Sequence, residues 1–440
     1  MLKKFNQKHP MALLAIATTL GSLFMTASSL PYANAATKHT AANPIQVTFW
    51  EGMSGQLGQV LQTMVHNFNR THPNIHVNAI YEGSYSGGGP MQEKLLAAVA
   101  ANKVPDLVQL EIHSTPLFAA NGALQSLNAM MANSAHDKKT DFLAGLLNNT
   151  SYKGVTYGIP FNRSVPVLYY NPVLFAKAGI HTAPATWSQL AQDAKRLTVA
   201  KNGQTQVYGF EPVNQWWFFE SLVWSNGGQL MNPSLTKATF ATPAAQAGMR
   251  LWQQMKNQGT LAANSGPNEW SQTITDFGHG RTAMYIGSAG DMGQIAQTGI
   301  PYKAAFVPKF KSYAVPTGGA NAVIMTKAPA AAKQAAFDFV EWFTQPAQTS
   351  YWSEQTGYLP VLKAAVSSSG MQAYYKKHPN HRIPVEELQF AKQAPLSPSY
   401  LQVYQYIQNA MDSIMFSNQP VSQALQNAVQ SADQAVQQAQ

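Results

Sequence analysis

The chain is 440 residues long, has no cysteine, and is charged at only 11% of its positions, with 20 acidic and 29 basic residues giving a net charge of +9. Zero cysteine excludes disulfides, thiolate nucleophiles and cysteine-ligated metals, and the scattered basic residues lack the aromatic-interleaved stripe that nucleic-acid binding requires. Typical soluble chains are about 25% charged, so carboxylates are scarce here; few groups would protonate in acid, which suits an acidic external milieu.

Lys3, Lys4 and Lys8 precede an apolar run from Met11 to about Met25, and Ala33-Asn34-Ala35 has the small-x-small form of a cleavage site. Residues 1–35 therefore read as a secretory signal peptide, with a mature chain starting at Ala36 and a net charge reduced to +6. The alternative is a membrane anchor, but Thr18, Thr19, Gly21 and Ser22 interrupt a run already shorter than the ~20 apolar residues of a spanning helix. What remains is long enough for two domains at ~100–200 residues each.

After a Thr/Ala-rich linker, 36–43, strands and helices alternate. Ile45–Trp50 is an expected strand, and Gln56–Thr71 a helix with Leu57, Val60, Leu61, Met64, Val65 and Phe68 at helical spacing. His76–Tyr81 is a second strand, Met91–Asn102 a helix and Asp106–Leu110 a third strand. This order predicts parallel strands with crossover helices and a ligand crevice beyond the strand carboxyl ends, where Glu51, Tyr85 and Glu111 fall. The stretch Ile159–Ile180, IPFNRSVPVLYYNPVLFAKAGI, joins a polar Asn-Arg-Ser corner to an apolar strand, a natural mouth for a ligand. Further on come a helix at Trp187–Leu197, a strand at Val207–Glu211, an aromatic helix at Trp216–Trp224, and helices at Ala244–Gln258 and Glu269–His279. Strands at Ala283–Ile286 and Ala305–Val307, a Pro316–Gly319 turn, a strand at Ala322–Met325, a helix at Ala330–Phe343 and an amphipathic helix at Ser422–Gln440 complete the pattern.

Catalytic motifs are missing. There is no HExxH, P-loop, dinucleotide fingerprint or G-x-S-x-G elbow, and Gly87-Gly88-Gly89 lacks the lysine of a phosphate loop. His66, His72 and His76 read as solvated histidines rather than a metal set, so no metal or cofactor is expected. Glu51, Glu82, Glu111 and Glu211 could include the facing pair of a glycosidase, which sequence alone cannot pair. Trp216-Trp217-Phe218-Phe219 is more distinctive: successive helical residues point about 100° apart, so four aromatics cannot share one core face, and either at least one lines a cleft or they divide between core and a domain interface.

Taken together, Ile45–Trp50 with the following Gly-x-Leu helix, Pro105–Glu111, Pro160–Asn171, Ala283–Gly290, Gly318-Gly319 and Thr356-Gly357-Tyr358-Leu359-Pro360 resemble the extracytoplasmic solute-binding proteins of carbohydrate-type ABC importers (family 1). Within that family the resemblance is to glycerol-3-phosphate and glycerophosphodiester binders. It implies an α/β, two-lobed periplasmic-binding-protein fold (type II) with the ligand cleft between the lobes. Lobe one would span 44–161 plus 308–346, and lobe two 162–307 plus 347–440. The family's ligand contacts would fall on Tyr85, Glu111, Ser164, Ser288, Gly319 and Tyr358, with Trp216 stacking on the solute. Each also has a purely structural reading: Glu111 could cap the helix near Ser114, Ser164 and Ser288 could serve turns, Gly319 could permit a positive φ, and the tyrosines could simply pack.

One departure concerns phosphate. Those binders carry an arginine after a Pro-Leu turn, but PLSPSYLQVYQYIQ has none, and no arginine occurs from Pro395 to Gln440. Arg163 is the candidate substitute, with an ordinary surface arginine as its alternative reading. The resemblance implies a non-catalytic monomer that closes about a hinge and delivers a sugar, polyol or polyol phosphate to a membrane permease from the periplasm or outer cell face. A secreted carbohydrate-active enzyme, a neutral-oligosaccharide binder and a surface adhesin are the competing readings.

Overall fold

The computed structural model describes residues 43–86 and 88–438. The expected signal peptide and all of the linker but Asn43 lie outside the described residues, as does Gly87. The helix Gly55–Thr71 buries all six residues picked out by their spacing, Leu57 through Phe68, against strand Ile45–Glu51 and its neighbours. An apolar stripe at a 3.6-residue period allows this, because it turns a single face to the sheet. No described helix is long and apolar enough to cross a membrane.

Two sheets organise the two lobes. The first runs in the order Ile75–Tyr81, Ile45–Glu51, Leu107–Glu111, Gly318–Ile324, Gly158–Ser164. Its first three strands are parallel, and Gly318–Ile324 enters antiparallel to both of its neighbours. The second sheet runs Glu211–Pro212, Met284–Ser288, Pro166–Tyr170, Lys303–Ala305. Strand Gly158–Ser164 ends the first sheet and Pro166–Tyr170 begins its part of the second, so Val165 alone separates them.

Several local expectations give way to tertiary context. Val207–Glu211 is not one strand: Gln204–Val207 pairs with Val199–Lys201 in a hairpin, and only Glu211–Pro212 joins the sheet. Gly318 and Gly319 belong to a strand rather than a turn, while Val315–Pro316 pairs with Ala391–Lys392. The expected strand at Ala305–Val307 lies instead at Lys303–Ala305. Helix Tyr400–Phe416, buried along Tyr400, Val403, Tyr404, Ile407 and Met411, packs beside helices Trp216–Ser225 and Val421–Gln438. Among the described residues no set of three His, Cys, Asp or Glu could hold a metal ion. His72 stacks on Phe68 and its Nδ1 lies 3.0 Å from the Phe68 carbonyl, at the end of the first helix.

Candidate functional site: a cleft between two sheets

Strand Leu107–Glu111 is buried throughout and delivers Glu111 to its carboxyl end. There the carboxylate has two structural duties. Oε2 accepts from the backbone N–H groups of His113 (3.0 Å) and Ser114 (3.1 Å), capping the turn Ile112–Ser114, and Oε1 lies 2.5 Å from His113 Nδ1. Burial disfavours a charged His113, yet the charge and hydrogen bond of Glu111, helped by the Glu220 carboxylate, outweigh it and raise the imidazole pKa.

A second polar chain begins inside the first sheet. Gly52 N–H donates to Gln109 Oε1 (2.7 Å), Gln109 Nε2 to Asn162 Oδ1 (2.9 Å), and Asn162 Nδ2 to the Tyr85 hydroxyl (3.0 Å), which lies 3.2 Å from the Tyr358 hydroxyl. The relay fixes both phenols. Tyr358 follows Gly357, whose φ of +89° ends helix Pro346–Thr356, and its ring lies so close to Gly290 that a Cβ there would stand 2.6 Å away. Gly319 is required for a related reason: at φ +88° its backbone approaches Asn162 so closely that a Cβ would sit 1.8 Å from the carbonyl oxygen.

The facing wall is aromatic. Trp216 stacks on Tyr404 at 4.1 Å between ring centroids and meets the His113 ring edge-on at 5.0 Å. Trp217 donates from Nε1 to the Thr317 carbonyl (3.2 Å) and lies near-parallel to Trp270 at 6.3 Å. Trp270 Nε1 in turn donates to Asp291 Oδ1 (2.9 Å). Asp291 Oδ2 accepts from Ser288 N–H (2.9 Å), and the Ser288 hydroxyl accepts from Gly290 N–H (3.1 Å), closing the turn after strand Met284–Ser288. Burial pushes the Asp291 carboxyl up to about 7, against the pull of these donors.

These walls enclose a cavity of about 170 Å³. Tyr85, Glu111, Ser164, Trp216, Ser288, Gly319 and Tyr358 all line it. So do residues the sequence reading did not assign, chiefly His113, Gln215, Trp217, Trp270 and Asp291. Their signals were present but ambiguous: His113 follows Glu111 by two positions, Asp291 immediately follows the Gly287–Gly290 stretch, and Trp217 sits in the aromatic cluster. Trp270 opens a helix far away in sequence, and nothing local marked it.

Arg163 is a correction. It neither lines the cavity nor reaches the surface, because alternation along strand Gly158–Ser164 turns it to the face opposite Asn162 and Ser164. Its guanidinium is fully buried and donates to the carbonyls of Gly318 (3.1 Å) and Leu146 (2.7 Å), to Asn321 Oδ1 (3.0 Å) and to Thr317 Oγ1 (2.9 Å). Burial lowers its pKa to about 9. Among the described residues no lysine or arginine lines the cavity. Of the other carboxylates weighed for catalysis, Glu51 caps Met53 N–H, Glu82 pairs with Lys94, and Glu211 accepts from Thr282 and Thr273; none reaches the cavity.

The profile of the bacterial extracellular solute-binding proteins matches residues 63–381. The chain belongs to that family. As a solute-binding protein it is 23% identical over 408 residues to the sn-glycerol-3-phosphate-binding periplasmic protein UgpB of Pectobacterium atrosepticum, covering 87% of this chain and 89% of the relative. Among solved structures, UgpB of Mycobacterium tuberculosis in complex with glycerophosphocholine shares 25% identity at a TM-score of 0.80, covering 90% of this chain and 99% of that one. The sugar-binding protein MalE of Xanthomonas citri superposes at 0.75 with 21% identity, covering 90% and 98%. The two-lobed solute-binding fold is therefore shared across both.

Proposed function

We propose that this solute-binding protein serves an ABC importer by capturing an uncharged or zwitterionic, hydroxyl-rich solute, a sugar, polyol or glycerophosphodiester, rather than a phosphate monoester. One observation carries the choice of solute: among the described residues the cavity offers three tryptophans and the carboxyls of Glu111 and Asp291 with no lysine or arginine, and its one histidine, His113, is already engaged by Glu111. Aromatic faces match the C–H surfaces of sugars, and a few fixed polar groups take the hydroxyls. A dianionic phosphate would meet carboxyls where it needs a cationic fork. UgpB relatives named for glycerol-3-phosphate and solved with glycerophosphocholine supply the candidate solutes.

Contacts from both walls favour the closed arrangement, so a molecule touching one wall alone would bind without closing the hinge. The protein acts as a monomer outside the cytoplasmic membrane, hands its solute to permease subunits, and turns nothing over. In support, Glu111 Oε2 and both oxygens of Asp291 already accept protein N–H groups, leaving little of either carboxyl free to attack or transfer a proton. The test is a thermal-shift screen of maltose, related sugars, glycerophosphocholine and glycerol-3-phosphate, where a solute at 100 times its dissociation constant adds about 2.7 kcal/mol. Stabilisation by a sugar or by glycerophosphocholine is expected. Stabilisation by glycerol-3-phosphate alone would overturn the neutral-solute reading, and product formation would replace binding with catalysis.

A further inference from the structure

The relay that ends at the two phenols has a direction, and it is set at the buried end. Gly52 supplies a backbone N–H, which can only donate, so the Gln109 side chain must turn Oε1 toward it (2.7 Å). That choice commits the rest of the amide. Gln109 Nε2 then donates to Asn162 Oδ1 (2.9 Å), which leaves Asn162 Nδ2 as the group facing the Tyr85 oxygen (3.0 Å). An amide can be reversed end for end with little change of shape, so its bonds alone hold its direction, and here one main-chain donor holds two amides in series. Gln109 and Asn162 are fully buried, and neither lines the cavity.

The phenols inherit this polarity. Tyr85 accepts from Asn162, and its oxygen lies 3.2 Å from that of Tyr358. Burial raises both hydroxyls above the ordinary phenol value, so each keeps its proton. One of these protons fills the bond between the two oxygens. Among the described residues neither hydroxyl has a further partner, so the other proton finds no acceptor in the protein. The Tyr358 ring cannot swing away to seek one, because it stacks on Trp352 at 5.8 Å and lies so close to Gly290 that a Cβ there would stand 2.6 Å from it.

We propose that Gln109 and Asn162 are positioning residues that fix the hydrogen-bond polarity of the solute site, committing the Tyr85–Tyr358 pair to donate one proton into the cavity and so to select a solute oxygen that can accept it. Both tyrosines line the cavity, so the proton is presented where the solute lies. An ether, hydroxyl or phosphoryl oxygen satisfies the pair. A primary ammonium, which has donors and no acceptor, is refused at this position. Were Asn162 reversed, its Oδ1 would take the Tyr85 proton, Tyr358 would donate to Tyr85, and no proton would be left for the solute.

The inference rests on reading this cavity as the solute site, but the direction of the relay can be tested with no solute present. Neutron diffraction from crystals of the deuterated protein should show deuterium on Gln109 Nε2 toward Asn162, deuterium on Asn162 Nδ2 toward Tyr85, one phenolic deuterium between the rings and one directed into the cavity. Two variants extend the test to binding. Gln109→Glu offers Asn162 an acceptor in place of a donor and turns its amide round, whereas Gln109→Met bonds to neither neighbour and leaves Asn162 free to keep its direction. Calorimetry with maltose and with glycerophosphocholine should show affinity reduced at least about tenfold by Gln109→Glu, and less by Gln109→Met. A role in packing alone predicts the reverse order, because glutamate is the closer copy of glutamine's shape. Asn162 Oδ1 found facing Tyr85, no phenolic deuterium directed into the cavity, or a larger loss in Gln109→Met than in Gln109→Glu would overturn the proposal. The wild-type crystal decides even where a variant fails to fold. If the wild-type chain binds neither probe, the solute reading falls and the deuterium positions settle the relay by themselves.

Discussion

The wall built on the first sheet meets the cleft with Tyr85, Glu111 and Ser164, and its hydrogen bonds run back through Asn162, Gln109 and the capped turn at His113. The wall built around the second sheet meets it with Trp216, Trp217 and Trp270, held by stacking and by single indole donors. The first is a lattice of satisfied polar groups that loses little freedom when a solute arrives, which fixes orientation at low entropic cost. The second supplies area without charge, which favours affinity for any solute with a flat C–H face. Burial treats their acids alike: Glu51 in the first sheet is raised, and Asp291 and Glu220 on the aromatic side are both pushed up to about 7.

The largest expected effect tests that shared behaviour. Asp137, Glu211, Glu220 and Asp291 are buried carboxyls raised to about 8 in the first case and about 7 in the others, chiefly by desolvation. A carboxyl raised on folding binds its proton more tightly in the folded chain. Its stabilising effect is complete below the unfolded value near ~4 and is lost as pH rises through about 7–8. Unfolding free energy measured in urea should therefore fall by several kcal/mol from pH 4.5 to pH 8.5, in keeping with the acidic milieu that the scarce carboxylates suggested. A flat profile, or greater stability in alkali, would break the comparison. Asp291→Asn with Glu220→Gln should remove part of the slope.

Next in size is Arg163→Met. It strips donors from the Leu146 and Gly318 carbonyls and from Asn321 and Thr317, and at ~1–3 kcal/mol per buried acceptor left unpaired it should cost at least about 3 kcal/mol of stability in the same assay. Weakened solute binding at unchanged stability would instead return Arg163 to the site. Trp216→Ala should lower solute affinity by about 2 kcal/mol, roughly thirtyfold by calorimetry, with a smaller effect on melting. Glu111→Gln should be milder, about 1 kcal/mol in affinity, because the amide oxygen can still cap the turn. If Glu111→Gln cost more than Trp216→Ala, the polar wall rather than the aromatic one would dominate affinity.

Much of this arrangement was legible in the sequence, and unevenly so. The six buried residues of helix Gly55–Thr71 follow from periodicity, and the turn from Asn162 to Ser164 into VPVLYY from local polarity. Tyr85, Glu111 and Tyr358 sit at element ends that a strand–helix alternation locates. Arg163 was misread although alternation with Asn162 and Ser164 predicts its facing; its polarity suggested an outward role, and only the carbonyls of a distant turn and strand make burial tolerable. Trp270 and helix Tyr400–Phe416 could not be found from neighbours in the chain, because their partners lie tens to hundreds of residues away. The short pairing of Glu211–Pro212 likewise depends on Met284–Ser288, not on its own composition.

The one-residue passage at Val165 has a further consequence. Val165 is fully buried, its carbonyl accepts from Ala289 N–H (3.0 Å), and the Arg163 carbonyl accepts from Leu359 N–H (2.9 Å), so the joint between the sheets is wired to the segments bearing Ser288 and Tyr358. Recognition and mechanical compliance thus share the same few peptide units. A change there alters what is bound and how readily the molecule closes in a single step, which makes it a poor place for gradual adaptation. Diversification of solute preference in this lineage should accordingly accumulate on the tryptophan wall, where a side chain can be exchanged without resetting the joint.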